Sequence, residues 1–295
     1  MRPVNLKAIG LMLIGVFVFS LMDAGLKRLS TGYPAIEVTT LRAAASLPFL
    51  LVWIAWTRSW RRLSVHSPAL YLVRVALGVT MLVTFVYSVS VQPLSDSYAV
   101  FMSAPLMVAA LSRVVLGERV PGRRWLAIAL GLVGVIIALK PRGAGFVSPG
   151  GLAAAASAVC YALSVLSIRV LGRTDSNYAM VFWYVLVLAL ASAGLAAHGW
   201  QPVATAHWPL IAFIGATGAL GQFLFTAAFR LAPPSAVAPF EYTALVWGLA
   251  LDFGVFGIVP LPRVLVGGAV VIAAGVYLIW DEHRVAAEPL PAAAR

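Results

Sequence analysis

Long apolar stretches recur from one end of this 295-residue chain to the other, separated only by short polar connectors. A helix needs about 20 predominantly apolar residues to cross a bilayer. Since 62% of the residues are hydrophobic and 11% are charged, no stretch is left that could fold as a sizeable soluble domain. The sequence therefore predicts an all-α integral membrane protein with ten transmembrane helices. The ten segments lie near residues 6–28, 35–56, 68–91, 94–116, 122–140, 148–171, 177–198, 207–230, 233–257 and 260–281.

The formal net charge of +11 comes from basic residues that mostly lie between the apolar segments. This placement excludes a nucleic-acid-binding surface, which requires cations along one soluble face. With a cytoplasmic N-terminus, 14 of the Lys and Arg residues fall on the cytoplasmic side and 5 on the other. Because cytoplasmic loops carry the excess of Lys and Arg, we expect a multi-pass protein of the bacterial inner membrane with both termini in the cytoplasm.

The two halves of the chain resemble one another. Phe19-Ser20-Leu21 in the first segment matches Tyr161-Ala162-Leu163 in the sixth at an offset of 142. Val120-Pro121 matches Val259-Pro260 at an offset of 139. Chance similarity between apolar helices is the alternative, but the paired Val-Pro favours a duplication.

Each half contains five apolar segments, so the second copy must enter the membrane upside down relative to the first. Inverted repeats are typical of secondary carriers, which bind the substrate near the membrane midplane between the repeats. The sequence therefore predicts one transport domain over residues 1–281, made of two inverted five-helix repeats around a central cavity. The repeats cover about 6–140 and about 148–281, and a cytoplasmic tail follows at 282–295.

Short motifs recur towards the end of each half. The first half has Ala104-Pro105-Leu106, then Leu116-Gly117-Glu118-Arg119, then Gly131 and Gly134-Val135. The second half has Tyr242-Thr243-Ala244-Leu245, then Gly267 and Ala274-Gly275-Val276-Tyr277-Leu278. Together these motifs resemble the EamA branch of the drug/metabolite transporter superfamily, over about residues 6–281. The second half departs from the family pattern at Phe256-Gly257-Ile258, where a second Gly-Glu-Arg-like turn would lie.

The resemblance implies a transporter with ten helices in two inverted repeats and with both termini in the cytoplasm. It also implies a central cavity lined mainly by the first, third, fourth, sixth, eighth and ninth helices. Members of the family mostly export small metabolites such as amino acids, and bacterial aromatic-amino-acid exporters form one group of members.

Two carboxyl groups inside apolar segments are candidates for the transport site, because an ionisable group in a membrane is costly and marks function by default. Glu241 has no basic residue within one helical turn, so it could carry a proton or meet a substrate amine. The alternative for Glu241 is a protonated acid that is hydrogen-bonded to a neighbouring helix. Asp23 is the second candidate for proton coupling, although an i,i+4 ion pair with Lys27 is its simpler explanation.

Two arginines also fall inside apolar segments. Arg42 is interpreted as a structural residue that pairs with Asp23 or Glu37. Arg74 is close enough to the cytoplasmic end of its helix to extend its charge into the interface. Neither arginine is placed at the predicted substrate site.

Aromatic side chains at helical spacing and one amide complete the predicted cavity. A Tyr or Trp in mid-membrane needs a partner for its polar atom, and water in a cavity supplies one. Lipid contact or helix packing is the competing role for each of them. Pro105 and Pro239 are predicted to kink the fourth and ninth helices and to act as hinges. The predicted cavity residues are Phe19, Tyr87, Tyr98, Phe101, Tyr161, Gln222, Phe225, Glu241 and Trp247.

The predicted function is export of small metabolites across the inner membrane by alternating access. Aromatic and neutral amino acids come first, because the predicted cavity is rich in aromatic residues and poor in net charge. The alternatives are export of nucleosides, nucleobases or drugs, a passive channel, and an accessory membrane subunit. The chain has no H-E-x-x-H, G-x-S-x-G or Walker motif, so we expect no catalytic residue, metal or cofactor. Its expected partners are the substrate and the bilayer; the sequence leaves the oligomeric state open, and a monomer is compatible with it.

Overall fold

The computed structural model of the chain describes residues 6–91, 97, 100–139, 148–257 and 262–287. This part consists of helices and the turns between them, without a β-strand, which confirms an all-α protein. The predicted cavity residue Tyr98 lies outside the described residues. The main helices are α1 (Leu6–Leu29), α2 (Ala35–Trp56), α3 (Pro68–Val91), α4 (Ala104–Val115), α5 (Gly122–Leu139), α6 (Pro149–Leu171), α7 (Asn177–Ala196), α8 (Trp208–Leu231), α9 (Thr243–Phe256) and α10 (Pro262–Ala287).

Seven helices of the described part are long and apolar enough to cross a membrane, namely α1, α2, α3, α5, α6, α7 and α8. Each of them lies at a segment predicted from the sequence. The remaining helices are shorter in the described part: α4 has 12 residues, α9 has 14, and the apolar part of α10 is Pro262–Leu278. The chain is therefore a multi-pass membrane protein, whereas the number of ten spans stays a prediction.

The outer surface of the helices is apolar. Val52, Leu72, Leu190 and Phe253 are each more than 60% exposed. A protein in water rarely exposes so many large apolar side chains to this degree, whereas lipid chains cover them without cost. Helices that are apolar on every face are typical of membrane spans.

Helices from the two halves of the chain pair in a regular pattern. α1 packs along α8 and α3 packs along α6, while α2 packs against α7 and α5 against α10. If each helix is exchanged with its counterpart five helices away, the pair α1–α8 becomes the pair α6–α3, which is also observed. The pairs α2–α7 and α5–α10 remain unchanged by the exchange. This pattern is what two equivalent halves produce when they pack against each other.

The chain leaves α-helical geometry at corresponding places in the two halves. Met102 and Ser103 form a turn directly before α4, and Ala238–Tyr242 forms a 3-10 helix directly before α9. Pro105 lies in the first turn of α4, and Pro239 lies inside the 3-10 helix. Proline has no N–H and is tolerated where a helix begins. Instead of the expected kinks within two continuous helices, the structure therefore has breaks between separate helical segments.

Glycines allow α5 and α10 to approach each other closely. A Cβ atom on Gly134 would lie 2.7 Å from the carbonyl oxygen of Gly267, closer than real Cβ atoms come to other atoms. Small residues at such crossings let helix backbones pack directly in lipid, where packing rather than the hydrophobic effect holds helices together. This crossing therefore depends on the missing side chain.

We expect Gly134→Ala to destabilise the protein by about 1–3 kcal/mol, because the new methyl group meets a backbone oxygen that cannot rotate away. The apparent melting temperature of the detergent-solubilised protein measures this effect. Gly275→Ala is the matched control, since a Cβ atom there meets nothing within 4 Å. Equal melting temperatures for the two variants would contradict the proposed tight crossing.

Candidate functional site

A cavity of about 360 Å³ lies between the helices of the two halves. α1, α3, α4, α6, α8 and α9 line it together with the segments before α4 and α9, much as the family resemblance implies. α2 and α7 also contribute to its wall, which the resemblance did not indicate. The polar residues of the lining are Ser20, Asp23, Thr39, Arg42, Arg74, Tyr161, Ser164, Tyr184, Gln222 and Glu241.

The structure brings most of the predicted cavity residues together. They come from four different helices and two interhelical segments, far apart in sequence. The predicted residues that line the cavity are Phe19, Asp23, Phe101, Pro105, Tyr161, Gln222, Phe225 and Glu241.

Three predicted residues lie away from the cavity. Tyr87 is 48% exposed and is not part of the lining, so its ring lies on another face of α3. Trp247 packs edge-on against Phe17, with ring centroids 4.8 Å apart, and it also does not reach the lining. Pro239 is buried in the 3-10 helix without facing the cavity.

Glu241 reaches the cavity because the chain has left α-helical geometry at Ala238–Tyr242. The hydroxyl of Tyr161 in α6 donates a hydrogen bond of 2.5 Å to Oε2 of Glu241. The other oxygen, Oε1, is buried and has no hydrogen-bond partner within the described part of the chain. A buried oxygen without a partner costs free energy unless a proton, water or ligand satisfies it.

Aromatic rings form one wall of the cavity. Phe101 contacts Tyr161 with ring centroids 5.7 Å apart, and Tyr161 contacts Phe225 at 6.4 Å. Phe225 in turn contacts Phe19 edge-on at 5.7 Å. Edge-to-face contacts leave ring faces free, so a flat apolar group of a substrate can pack against this wall.

Arg42 and Asp23 bring opposite charges to the cavity from α2 and α1. Arg42 interacts electrostatically with Asp23, and its guanidinium carbon lies 5.9 Å from the centroid of the Phe19 ring. Glu37, the other predicted partner of Arg42, instead accepts a hydrogen bond from the backbone N–H of Gln201. The predicted relation between Arg42 and Asp23 is therefore present, but it lies at the cavity rather than in a purely structural position.

Arg74 does not extend towards the membrane surface, so that prediction is wrong. The residue is 2% exposed, and its Nη1 donates a hydrogen bond of 3.1 Å to the carbonyl oxygen of Met180. Its guanidinium carbon lies 4.4 Å from the centroid of the Tyr184 ring. The Arg74 side chain stays inside the protein, where α3 packs against α6 and α7. The carbonyl oxygen of Met180 and the Tyr184 ring contact the guanidinium there, in place of the membrane–water interface.

Tyr184 is a cavity residue that the sequence reasoning missed. A signal for it exists, since Tyr184 follows Arg42 at the offset of 142 that relates Phe19 to Tyr161. The repeat therefore places both residues at equivalent positions of α2 and α7, and both line the cavity.

Polar contacts join the two halves at one end of the bundle. Ser235, which precedes α9, donates a hydrogen bond of 3.2 Å to Oε2 of Glu118 in the loop between α4 and α5. Arg124 at the start of α5 donates to the same serine oxygen at 3.4 Å. Burial raises the pKa of the Glu118 carboxyl, although hydrogen bonds with Ser235 and Ser112 and the charges of Arg169 and Arg124 oppose the shift. Glu118 of the Leu-Gly-Glu-Arg motif therefore takes part in the contacts that join the two halves at this end of the bundle.

Different contacts join the halves at the other end. The hydroxyl of Tyr33, which precedes α2, lies 2.9 Å from Nδ1 of His207 and accepts a hydrogen bond of 2.9 Å from the backbone N–H of Ala204. Both partners belong to the segment between α7 and α8. Polar contacts therefore join the two halves at both ends of the bundle.

Comparison with known proteins places the chain among transporters. The sequence model of the EamA-like transporter family matches the chain twice, over residues 6–140 and 148–280. The chain is 26% identical to the S-adenosylmethionine uptake transporter of Rickettsia bellii, covering 92% of this chain and 94% of the relative. It is 27% identical to the pseudopaline exporter CntI of Pseudomonas aeruginosa, covering 91% and 94%. It is 28% identical to the riboflavin transporter of Rhizobium johnstonii, covering 83% and 79%.

A solved crystal structure of a protein matches the fold with a TM-score of 0.83, covering 95% of this chain and 99% of the other. At a sequence identity of 17%, this comparison shows a shared fold and nothing about function. The three relatives are all named as transporters, in agreement with the expectation that the chain is not an enzyme. Since the family match covers nearly the whole chain in two copies, this protein belongs to the EamA-like transporter family of the drug/metabolite transporter superfamily.

Proposed function

We propose that this transporter exports amino acids, aromatic and neutral ones first, across the bacterial inner membrane by alternating access. The observation that carries the proposal is the composition of the cavity. Carboxyl groups (Asp23 and Glu241) and guanidinium groups (Arg42 and Arg74) line it beside an aromatic wall. An amino acid carries both charges and a side chain, so each part of it has a complementary group in this cavity.

The names of the relatives support this substrate class in part. S-adenosylmethionine, which names the transporter of Rickettsia bellii, contains an α-amino-acid group. Riboflavin, which names the transporter of Rhizobium johnstonii, is a flat aromatic ring system with polar edges. The second name, together with Gln222 beside the aromatic wall, favours nucleosides or nucleobases as the second candidate substrates.

Alternating access follows from two inverted repeats with both termini in the cytoplasm. The pairing of helices across the two halves supports two equivalent repeats, because it is unchanged when the halves are exchanged. The helix breaks beside Pro105 and Pro239 are the hinges of the proposal, since separate helical segments meet there. Opening and closing then alternate between the Glu118–Ser235 end and the Tyr33–His207 end.

Proton coupling is assigned to Glu241 rather than to Asp23. Asp23 has the positive charge of Arg42 nearby, so a cation of the protein already compensates its negative charge in the cavity. Glu241 has a tyrosine hydroxyl on one oxygen and no partner on the other in the described structure. A carboxyl group in that position can take up and release a proton as the cavity opens to each side.

Uptake into proteoliposomes tests the substrate class. We expect saturable uptake of phenylalanine, tryptophan and leucine, and weaker uptake of uridine or adenine, because only amino acids use both charges of the cavity. A radiolabelled panel measured with and without a pH gradient gives the answer, and protein-free liposomes give the background. Uptake of nucleosides without amino acids would replace the first candidate by the second, and passive, non-saturable flux of every solute would indicate a channel.

A further inference from the structure

The charges that line the cavity are not balanced in pairs. Asp23 and Arg42 carry opposite charges and interact electrostatically. Glu241 accepts a hydrogen bond from the hydroxyl of Tyr161. Arg74 differs from Arg42, because its electrostatic partners among the described residues are Tyr184 and Tyr71 and not a carboxylate. A buried cation in a membrane protein is costly without an anionic partner.

The surroundings of Arg74 fix the guanidinium but leave part of it unused. One nitrogen, Nη1, donates to the carbonyl oxygen of Met180, and the Tyr184 ring lies 4.4 Å from the guanidinium carbon. Gly78, one turn further along α3, leaves room for this ring, since a Cβ atom there would lie 3.2 Å from the Tyr184 hydroxyl. The Nε atom is buried and has no hydrogen-bond partner in the described part of the chain.

We propose that Arg74 is the subsite that binds the carboxylate of the substrate. This inference rests on the proposed function and deepens it, because it requires a carboxylate in every well-bound substrate. A guanidinium offers planar pairs of N–H donors that match the two oxygens of a carboxylate. Arg74 lines the cavity, and its Nε–H has no acceptor among the described residues, so an incoming carboxylate supplies both a hydrogen-bond acceptor and a negative charge.

A structural role for Arg74 makes a different prediction. Arg74 also joins α3 to α7 through Met180 and Tyr184, and loss of that link would affect all ligands alike. A carboxylate subsite affects only ligands that carry a carboxylate. Ligands of similar size, some with a carboxylate and some without, therefore distinguish the structural role of Arg74 from a role in binding the carboxylate.

The experiment measures thermal stabilisation of the detergent-solubilised, full-length protein by three probes of similar shape. They are phenylalanine, 3-phenylpropionate, which lacks the ammonium group, and 2-phenylethylamine, which lacks the carboxylate. We expect phenylalanine and 3-phenylpropionate to stabilise the wild-type protein and Arg74→Met to weaken binding of both by about tenfold or more. Binding of 2-phenylethylamine should change less than twofold.

Two further variants make the result decisive. Arg74→Lys keeps the charge without the fork of donors, so it should retain part of the carboxylate preference even if Arg74→Met does not fold. Arg62→Met is the matched control, since Arg62 also lies over a tyrosine ring, 5.9 Å from that of Tyr178, but outside the cavity lining. We expect this control to bind all three probes like the wild-type protein.

A failure of the carboxylate subsite can be distinguished from a failure of the proposed amino-acid transport. Equal loss of all three probes in Arg74→Lys, or an unchanged carboxylate preference in Arg74→Met, would overturn the subsite. A wild-type protein stabilised by none of the carboxylates would overturn it as well. Selective binding of carboxylates without any uptake into proteoliposomes would keep the subsite and refute transport of amino acids instead.

Discussion

Replacing Glu241 by glutamine is expected to abolish the accumulation of substrate that a pH gradient drives, while exchange of substrate across the membrane continues. Glutamine has nearly the same shape and can still accept the hydrogen bond from Tyr161, but it cannot take up or release a proton. One proton that moves across a difference of one pH unit supplies about 1.4 kcal/mol, which sustains about a tenfold substrate gradient. The Glu241→Gln variant should sustain no gradient.

The measurement uses proteoliposomes that are reconstituted with equal amounts of the wild-type or the variant protein. Their interior is either acidic or alkaline relative to the outside. Wild-type protein should accumulate substrate with one polarity only, and the variant with neither. Counterflow, in which unlabelled internal substrate drives uptake of labelled substrate, shows that the variant still transports. A variant that responds to the gradient like the wild-type protein would reduce Glu241 to a structural residue.

Glu37→Gln is the matched control for this prediction. Glu37 is also a buried glutamate with one satisfied oxygen, bonded to the backbone N–H of Gln201, and one oxygen without a partner in the described structure. It lies in the first turn of α2 and does not line the cavity. We therefore expect its replacement to leave the response to the gradient intact, even where it lowers stability. Loss of the response in both variants would show that the effect is not specific to the cavity.

The sequence predicted which segments are helices better than which side chains meet. Seven of the predicted segments are long apolar helices, because a run of about 20 apolar residues has few other stable structures in lipid. The faces of those helices are harder to assign, since a span that is apolar all round shows no preferred side. Phe85 and Tyr87 lie two positions apart and therefore about 200° apart around α3. Phe85 contacts the lining residue Phe101 with ring centroids 5.2 Å apart, and Tyr87 lies away from the cavity.

Charged residues inside spans were the most informative positions, yet their partners could not be read from the sequence. Arg74 lies six residues after the start of α3, where a long side chain could have reached the interface. Met180 and Tyr184 of α7 keep it inside instead, and they are more than 100 residues away in the chain. Glu241 was recognised because it has no basic neighbour, but its hydrogen bond to Tyr161 depends on how the two halves pack.

Replacing Ala244 by tryptophan is expected to stop transport without unfolding the protein. Ala244 in α9 lines the cavity, whose volume of about 360 Å³ is near the lower end of small-molecule sites. An indole ring in that space excludes a substrate with an aromatic side chain, so uptake should fall by about tenfold or more. Ala250→Trp is the control, because Ala250 lies in the same helix but is exposed on the outer surface, where lipid accommodates a large ring. Both variants should give monodisperse protein with similar melting temperatures. Uptake by Ala244→Trp at the wild-type rate would show that substrates do not pass through this cavity, and the roles assigned to Glu241 and Arg74 would fall with it.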